Sequence, residues 1–322
     1  MRHLLSLTDV GPENLCRLVD LSCAMAANEI TELPLKGKVV GIYFKRSSTR
    51  TRSSFTVGAI KLGALPVTYG PNDLQISTGE TIPDTARVLS GYLDALVIRS
   101  NESIEEMRMF AAQNEMAIIN AMSDTEHPTQ AIADLTTIKQ VFGRLHGVKI
   151  LYLGEGNNTA SALALAVAMT EGMRLMIVTP EGYGLPSTLL EAVNEIARQR
   201  GSLVEQHHHA AELPHGFDVV YTTRWQTMGE SKPDRNWREK FIPYRVTQNV
   251  MQRVSNGSGT IFMHDLPAVR GDDVVDEVLD GPQSVAFQQA KNKLFGAMAV
   301  LTWCLASEYA DVKEPRHVIA DT

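Results

Sequence analysis

Val39-Val40-Gly41-Ile42-Tyr43-Phe44 runs into Lys45-Arg46-Ser47-Ser48-Thr49-Arg50-Thr51-Arg52, and the helix-like stretch Ser53–Leu62 follows. The first six residues are apolar, mostly β-branched or aromatic, and predict a buried strand. The hydroxyls and cations then fall where that strand turns into a helix. A helix start offers unpaired backbone N–H groups and the positive end of its dipole. Ser48, Thr49 and Thr51 add hydroxyl donors, and Arg50 or Arg52 adds a forked guanidinium. Taken alone, this turn has two readings. Its hydroxyls cap a helix beside solvated cations, or the whole turn cradles an anion of phosphate size.

The strand–helix rhythm continues outward from this unit. Apolar runs at Ala95–Arg99, Ala117–Ala121, Val148–Leu153, Leu175–Thr179, Asp218–Thr222 and Thr260–His264 alternate with amphipathic stretches such as Ser103–Gln113, Thr129–Phe142 and Pro186–Arg200. Such alternation predicts an α/β protein, with parallel sheets flanked by helices. A chain of 322 residues is long for one core, so two such domains are expected. The division falls in the Thr129–Phe142 helix, before Val148 opens a new strand–glycine–helix unit. Gln283–Tyr309 predicts one long closing helix that returns across the junction and ties the halves together. The expected partition is 1–135, 136–290, and a C-terminal helical segment, 291–322, packed back on the first domain. Ligands of open α/β sheets bind beyond the carboxyl ends of the strands. That rule selects Ser48–Arg52, Arg99, His127, Asn157–Asn158, Arg224–Met228 and His264–Pro267.

Several function classes are excluded. A formal net charge of -7 argues against general nucleic-acid binding, although a local basic pocket for a small anion remains compatible with it. Cys16, Cys23 and Cys304 are too few and too scattered for a disulfide framework or a thiolate metal site. The opening MRHLLSLTDV lacks the longer apolar core of a signal peptide, and the apolar stretch around Leu163–Met169 is far too short for a bilayer span. A cytoplasmic protein without a membrane partner is expected. His207-His208-His209 cannot easily converge on one ion from consecutive positions, so it is read as solvated surface and no metal is assigned. The strand ending Gly154-x-Gly156 invites a nicotinamide-binding reading. The third glycine of that fingerprint is Thr159, and no acidic residue ends the next strand near Val178.

Five motifs, in order and covering nearly the whole chain, resemble the aspartate/ornithine carbamoyltransferase family. Ser48-Thr49-Arg50-Thr51-Arg52 is similar to its phosphate-binding signature. Gly70-Pro71, Gln75-Ile76 and Glu80–Leu89 resemble its flexible loop and following helix in the ornithine branch. His127-Pro128-Thr129-Gln130 matches His-Pro-x-Gln, His264-Asp265-Leu266-Pro267 resembles His-Cys-Leu-Pro, and Ala290–Leu294 resembles the terminal-helix motif. The resemblance implies transfer of a carbamoyl group from carbamoyl phosphate to a small amine, with no metal or organic cofactor. Residues 1–135 would then bind carbamoyl phosphate and residues 136–290 the amino substrate.

Residue by residue, the resemblance implies that Ser48, Thr49, Arg50 and Thr51 hold the phosphate. Gln75 would reach it from a neighbouring subunit, in a homotrimer with active sites at subunit interfaces. Arg99, His127 and Gln130 would surround the carbamoyl group, with backbone carbonyls near His264 and Leu266 meeting its NH2 and Leu266–Pro267 cis. On the amine side it points to Asn158, Thr223, Arg224, Gln226, Thr227, Met228 and Asp265. It also suggests Gly70–Thr81 and Trp225–Lys232 as closing loops.

The amine side departs from the family pattern. Where ornithine enzymes read Asp-x-Trp-x-Ser-Met-Gly, this chain reads Thr223-Arg224-Trp225-Gln226-Thr227-Met228-Gly229. The family cysteine is Asp265, a family arginine is Lys293 and a usual histidine is Phe295. Arg99, His127, Asp265 and Lys293 form the expected catalytic set. Asp265 is read either as a carboxylate relocated across the pocket or as a base. Ornithine is the default amine. A shorter or modified diamino acid, or an acidic one such as aspartate (suggested by Thr-Arg-x-Gln), is the alternative, and a catalytically inactive binding relative is a third reading.

Overall fold

The computed structural model describes residues 2–29, 32–226, 232 and 234–306. Two parallel sheets organise the chain. The first holds β1 (Val39–Phe44), β2 (Leu65–Tyr69), β3 (Ala95–Arg99) and β4 (Ala117–Met122), in the order β2-β1-β3-β4. The second holds β5 (Lys149–Leu153), β6 (Arg174–Val178), β7 (Leu203–His207), β8 (Val219–Thr222) and β9 (Ile261–His264), in the order β7-β6-β5-β8-β9. Every strand pair is parallel. In each sheet the strand order reverses beside the first strand, which opens a crevice at the carboxyl ends.

Helices cover the sheets, so central strands are buried on both faces and appear as unbroken apolar runs. Strands β3 and β8 are buried throughout. The two strands that the sequence analysis does not anticipate, β2 and β7, are both sheet edges. Their alternating exposure and their Pro66, Thr68, Glu205 and Gln206 deprive them of a continuous apolar signature. Pro66 is tolerated because an edge strand pairs on one side only.

The helix after β1 spans Arg50–Lys61, three residues earlier than the Ser53 start read from the sequence. Arg50, Thr51 and Arg52 therefore stand in its first turn. Thr49 occupies the cap position without a side-chain cap hydrogen bond. That weakens the reading in which the hydroxyls serve only as caps.

A continuous apolar core runs from Val40, Ile42 and Val97 of the first sheet, through Ile132, Leu135 and Ala297–Leu301, to Ile150, Leu163 and Val219 of the second. The outer face of each sheet has its own smaller cluster. The closing helix is observed at Ala286–Leu305 and packs on the helices Pro12–Ala26, Arg50–Lys61 and Pro128–Phe142. Residues 307–322 of the expected C-terminal segment lie outside the described residues.

A buried polar seam crosses this junction. Asp134 is fully buried and accepts hydrogen bonds from Gln130 Nε2 (2.8 Å), Gln289 Nε2 (2.7 Å) and the Tyr221 hydroxyl (3.0 Å). Gln289 Oε1 in turn accepts the backbone N–H of His264 at 2.8 Å. One carboxylate thus links the Pro128–Phe142 helix, β8 and the closing helix, and through Gln289 reaches β9. Burial pushes its pKa up to about 7 against the pull of its donors.

Candidate active site

The carboxyl ends of both sheets face one cavity of about 380 Å³. One wall is the turn from Arg46 to Thr51, joined by Arg99 from the end of β3. Arg99 is buried, and its Nη1 donates to Thr51 Oγ1 at 3.1 Å. Its Nε has no partner among the described residues. Burial, followed by the neighbouring Arg50 charge, pushes its pKa down to about 10 even with Asp265 nearby. Arg50 is lowered chiefly by burial as well. Two guanidiniums held close together beside a helix start form a site suited to an anion.

The floor comes from the Pro128–Phe142 helix and the closing helix. His127 caps the former, and its backbone N–H donates to Asn158 O at 3.2 Å, across to the second sheet. Burial, then the charges of Lys293 and Arg99, hold the His127 imidazole well below its usual range, so it stands neutral. Gln130 donates to Asp134 through Nε2, which turns its Oε1 toward the ammonium of Lys293, with which it pairs. Burial, then Arg99, pushes Lys293 down to about 7.

The opposite wall belongs to the second sheet. Asn157 caps the helix Asn158–Met169 by accepting from Thr159 N (3.0 Å) and Ala160 N (3.2 Å). Gly156 lets this turn approach a second backbone, since a Cβ there would lie 2.5 Å from Gly184 C and Leu185 N. Asn158 lines the cavity, with its amide donating to Ser123 O at 2.8 Å. Thr223, Arg224 and Gln226 follow β8, and Asp265, Leu266 and Pro267 follow β9. The Leu266–Pro267 peptide is cis, as the resemblance implied.

The structure thus places Ser48, Thr49, Arg50, Thr51, Arg99, His127, Gln130, Asn158, Thr223, Arg224, Gln226, Asp265, Leu266 and Lys293 around one cavity. His264 lies apart from them. Its ring is fully buried, with Nδ1 accepting the Leu266 N–H at 2.8 Å and Nε2 lying 2.7 Å from Asp273 Oδ2. That arrangement puts the ring proton on Nε2. His264 holds the backbone at Leu266, and its Nδ1 lies 3.4 Å from Oδ1 of the cavity residue Asp265. Gln75 also stands apart, exposed on the short turn Gln75–Thr78 with its Oε1 accepting from Thr78 Oγ1. Thr227 and Met228 lie outside the described residues. No local sequence signal marks Thr159, which hydrogen-bonds Asp265, or the Asp134–Tyr221–Gln289 seam; beside Gly154 and Gly156, Thr159 counts only as a missing glycine.

Comparisons with known proteins agree with this geometry. The family model for the aspartate/ornithine carbamoyltransferase carbamoyl-P binding domain matches residues 2–140, and that for the Asp/Orn binding domain matches residues 146–304. The ornithine carbamoyltransferase of Oceanobacillus iheyensis is 41% identical over 310 residues, covering 95% of this chain and 94% of the relative. That of Methanothermobacter thermautotrophicus is 39% identical over 305 residues, covering 95% and 99%. The solved ornithine carbamoyltransferase from Pyrococcus furiosus superposes with a TM-score of 0.88 at 34% identity, over 97% of this chain and 98% of that one. The chain belongs to the aspartate/ornithine carbamoyltransferase family and is a carbamoyl-group transferase.

Proposed function

We propose that the chain carries the carbamoyl group of carbamoyl phosphate to the side-chain amine of ornithine, forming citrulline and inorganic phosphate. The observation that carries this reading is the single cavity in which an anion cradle (Ser48–Thr51 with Arg99) faces a mixed-charge wall (Asn158, Thr223, Arg224 and Asp265). The relatives named above supply ornithine as the amine.

The chemistry follows from the placement. The cradle holds the phosphate, and the carbonyl then lies toward Arg99, His127, Gln130 and Lys293. A neutral His127 can donate one ring N–H to the oxygen without adding a third cation to that cluster. A neutral amine attacks the carbonyl carbon, and charge grows on the oxygen against preplaced donors. The new C–N bond forms, the C–O bond to phosphate breaks, and the amine proton leaves on the phosphate. Holding both reactants in one cavity supplies most of the acceleration. Arg224, which lines the amine wall, suits the substrate carboxylate.

Gln75 is exposed and does not line the cavity of its own chain, and β2 is an edge strand with Leu65 64% and Val67 38% exposed. Both features support a homotrimer in which a neighbour completes the site. Free Cys16, Cys23 and Cys304 suit a reducing, cytoplasmic compartment. No helix of the described residues is long and apolar enough to cross a membrane.

Phosphate release from carbamoyl phosphate, measured against ornithine, lysine, shorter diamino acids, putrescine and aspartate, tests the assignment. The ureido product is identified by mass. Ornithine is expected to give the highest kcat/KM. Faster turnover of a shorter diamino acid or of aspartate overturns the choice of amine. No turnover with any of them overturns the catalytic reading.

A further inference from the structure

Asp265 is the one carboxylate among the described residues that line the cavity, where it faces Arg46, Arg50, Arg99, Arg224 and Lys293. Both of its oxygens accept hydroxyls that follow strands of the second sheet, and Oδ1 also lies 3.4 Å from His264 Nδ1. Thr159, in the first turn of the Asn158–Met169 helix, donates its hydroxyl to Oδ2 at 2.9 Å. Thr223, one residue past β8, donates to Oδ1 at 3.0 Å and also lies 3.2 Å from Oδ2. Thr223 Oγ1 in turn accepts from Asn157 Nδ2 at 3.4 Å. The chain of donors therefore runs one way, from the β5 turn through Thr223 to the carboxylate.

That direction distinguishes two roles for Asp265. Each threonine has one hydroxyl hydrogen and gives it to Asp265, while the carboxylate has about four acceptor positions. Lone pairs remain for an incoming ammonium, and the carboxylate plane is fixed from two sides. A general base must keep a lone pair within hydrogen-bond reach of the attacking nitrogen's proton. A binding group needs only a fixed negative charge. The register Thr222–His264 between β8 and β9 sets Thr223 and Asp265 side by side, one step beyond the paired strand ends.

We propose that Thr159 and Thr223 fix Asp265 as an ammonium clamp, which pairs with the non-reacting ammonium of a diamino acid and takes no proton during carbamoyl transfer. Asp265 and its two threonines then choose the amine, and the departing phosphate carries off the proton. This inference rests on the carbamoyl-transfer reading. It assigns Thr159 and Thr223 as positioning residues that act through Asp265.

The test uses the full chain saturated with phosphonoacetamide, an unreactive analogue of carbamoyl phosphate. Calorimetry compares ornithine with 5-aminopentanoate, which keeps the carbon chain, carboxylate and reactive amine but lacks the second ammonium. The wild type is expected to favour ornithine by about 10- to 100-fold, as a charge-assisted contact should. Asp265→Asn should bind the two alike and keep kcat at saturating ornithine within about tenfold. Thr159→Val and Thr223→Val should each lose part of the preference, and Thr159→Ser should restore it. An unchanged far-ultraviolet circular-dichroism spectrum and a cooperative thermal melt in each variant report an intact fold.

Two results overturn the clamp. In one, Asp265→Asn retains the preference for ornithine. In the other, it binds ornithine normally while kcat falls by about 1,000-fold or more, the mark of a lost base. A wild type that binds phosphonoacetamide but transfers to no diamino acid overturns the parent reading, and the clamp falls with it.

Discussion

The two walls of the cavity are built by opposite strategies. The anion wall is nearly all one segment, Arg46–Thr51, with Arg99 as its single distant recruit. The amine wall draws from the β5 turn, the end of β8 and the end of β9, which are separated by tens of residues and joined by hydrogen bonds such as Thr159 to Asp265. A phosphate is nearly symmetric and highly charged, so one helix start with converging donors can hold it. An amino acid carries charges of both signs at fixed separations. Groups of both signs must therefore be spaced across several strands. The anion wall is uniform in charge and locally costly, whereas the amine wall is mixed in charge and cross-linked by hydrogen bonds.

The largest expected effect comes from breaking that uniformity. Arg50 is half-buried beside Arg99 and makes no ion pair or hydrogen bond among the described residues. Arg50→Gln should cut kcat/KM for carbamoyl phosphate by about 100- to 1,000-fold, the range for losing one preplaced charged donor. The same change relieves repulsion with Arg99, so the melting temperature should hold or rise. Initial rates and a thermal melt on one preparation check both halves. A variant that loses stability in step with activity would give Arg50 a structural role instead.

A second experiment probes the scaffold that carries the anion wall's neighbour, His127. Glu126 is buried, accepting from Leu7 N–H at 2.8 Å and from the Ser6 hydroxyl at 2.6 Å. Burial raises its pKa to about 7 despite those donors. Between about pH 4.5 and 7 the folded chain therefore holds a proton that the unfolded chain has lost. This contribution is fully present below 4.5 and disappears as pH rises through 7. A shift of this size corresponds to about 3 kcal/mol at most. Glu126→Gln keeps the shape and removes the titration, so urea midpoints between pH 5 and 7.5 should flatten relative to wild type. An unchanged slope would place the titration elsewhere, with Asp134 next in line.

The difference between the walls also governs how much the sequence reveals. Ser48–Arg52 is contiguous, and its chemistry is legible in five neighbouring residues, although the helix starts three residues earlier than its apolar pattern suggests. Central strands such as Ala95–Arg99 show as apolar runs because both faces are covered. The edge strands β2 and β7 do not, because their exposed faces mix polar with apolar residues. Thr159 gives no local sign of its contact with Asp265, 106 positions away. Asp134 sits in an ordinary helical pattern, and only the fold brings Tyr221 and Gln289 to it. His264 shows the reverse case, a polar residue that belongs to a motif yet turns its ring into the core toward Asp273. Contiguous chemistry can be read from the chain, whereas chemistry assembled by sheet register needs the fold.

Lys293 stands between the two walls and gives the smallest effect, but one that separates their electrostatics. It is buried on the closing helix with Gln130 as its hydrogen-bond partner, and it is surrounded by Arg99, Arg50, Asp265 and Asp134. Burial, then the charge of Arg99, holds it at about pKa 7. A bound dianion reverses the balance of charge and draws its pKa back up. Binding at pH 8 should therefore take up close to one proton. Affinity for phosphonoacetamide should fall as pH rises above about 7, by at most about tenfold per pH unit, because the favourable charge must then be supplied from solvent. Lys293→Arg stays charged throughout and should bind with no proton uptake and a flat profile in the same range. Titrations in two buffers of unequal ionisation enthalpy measure the uptake directly. If the wild type takes up none, the cation at this position is already charged in the empty site. The amine wall's Asp265 would then balance the anion wall more fully than the burial of Lys293 implies.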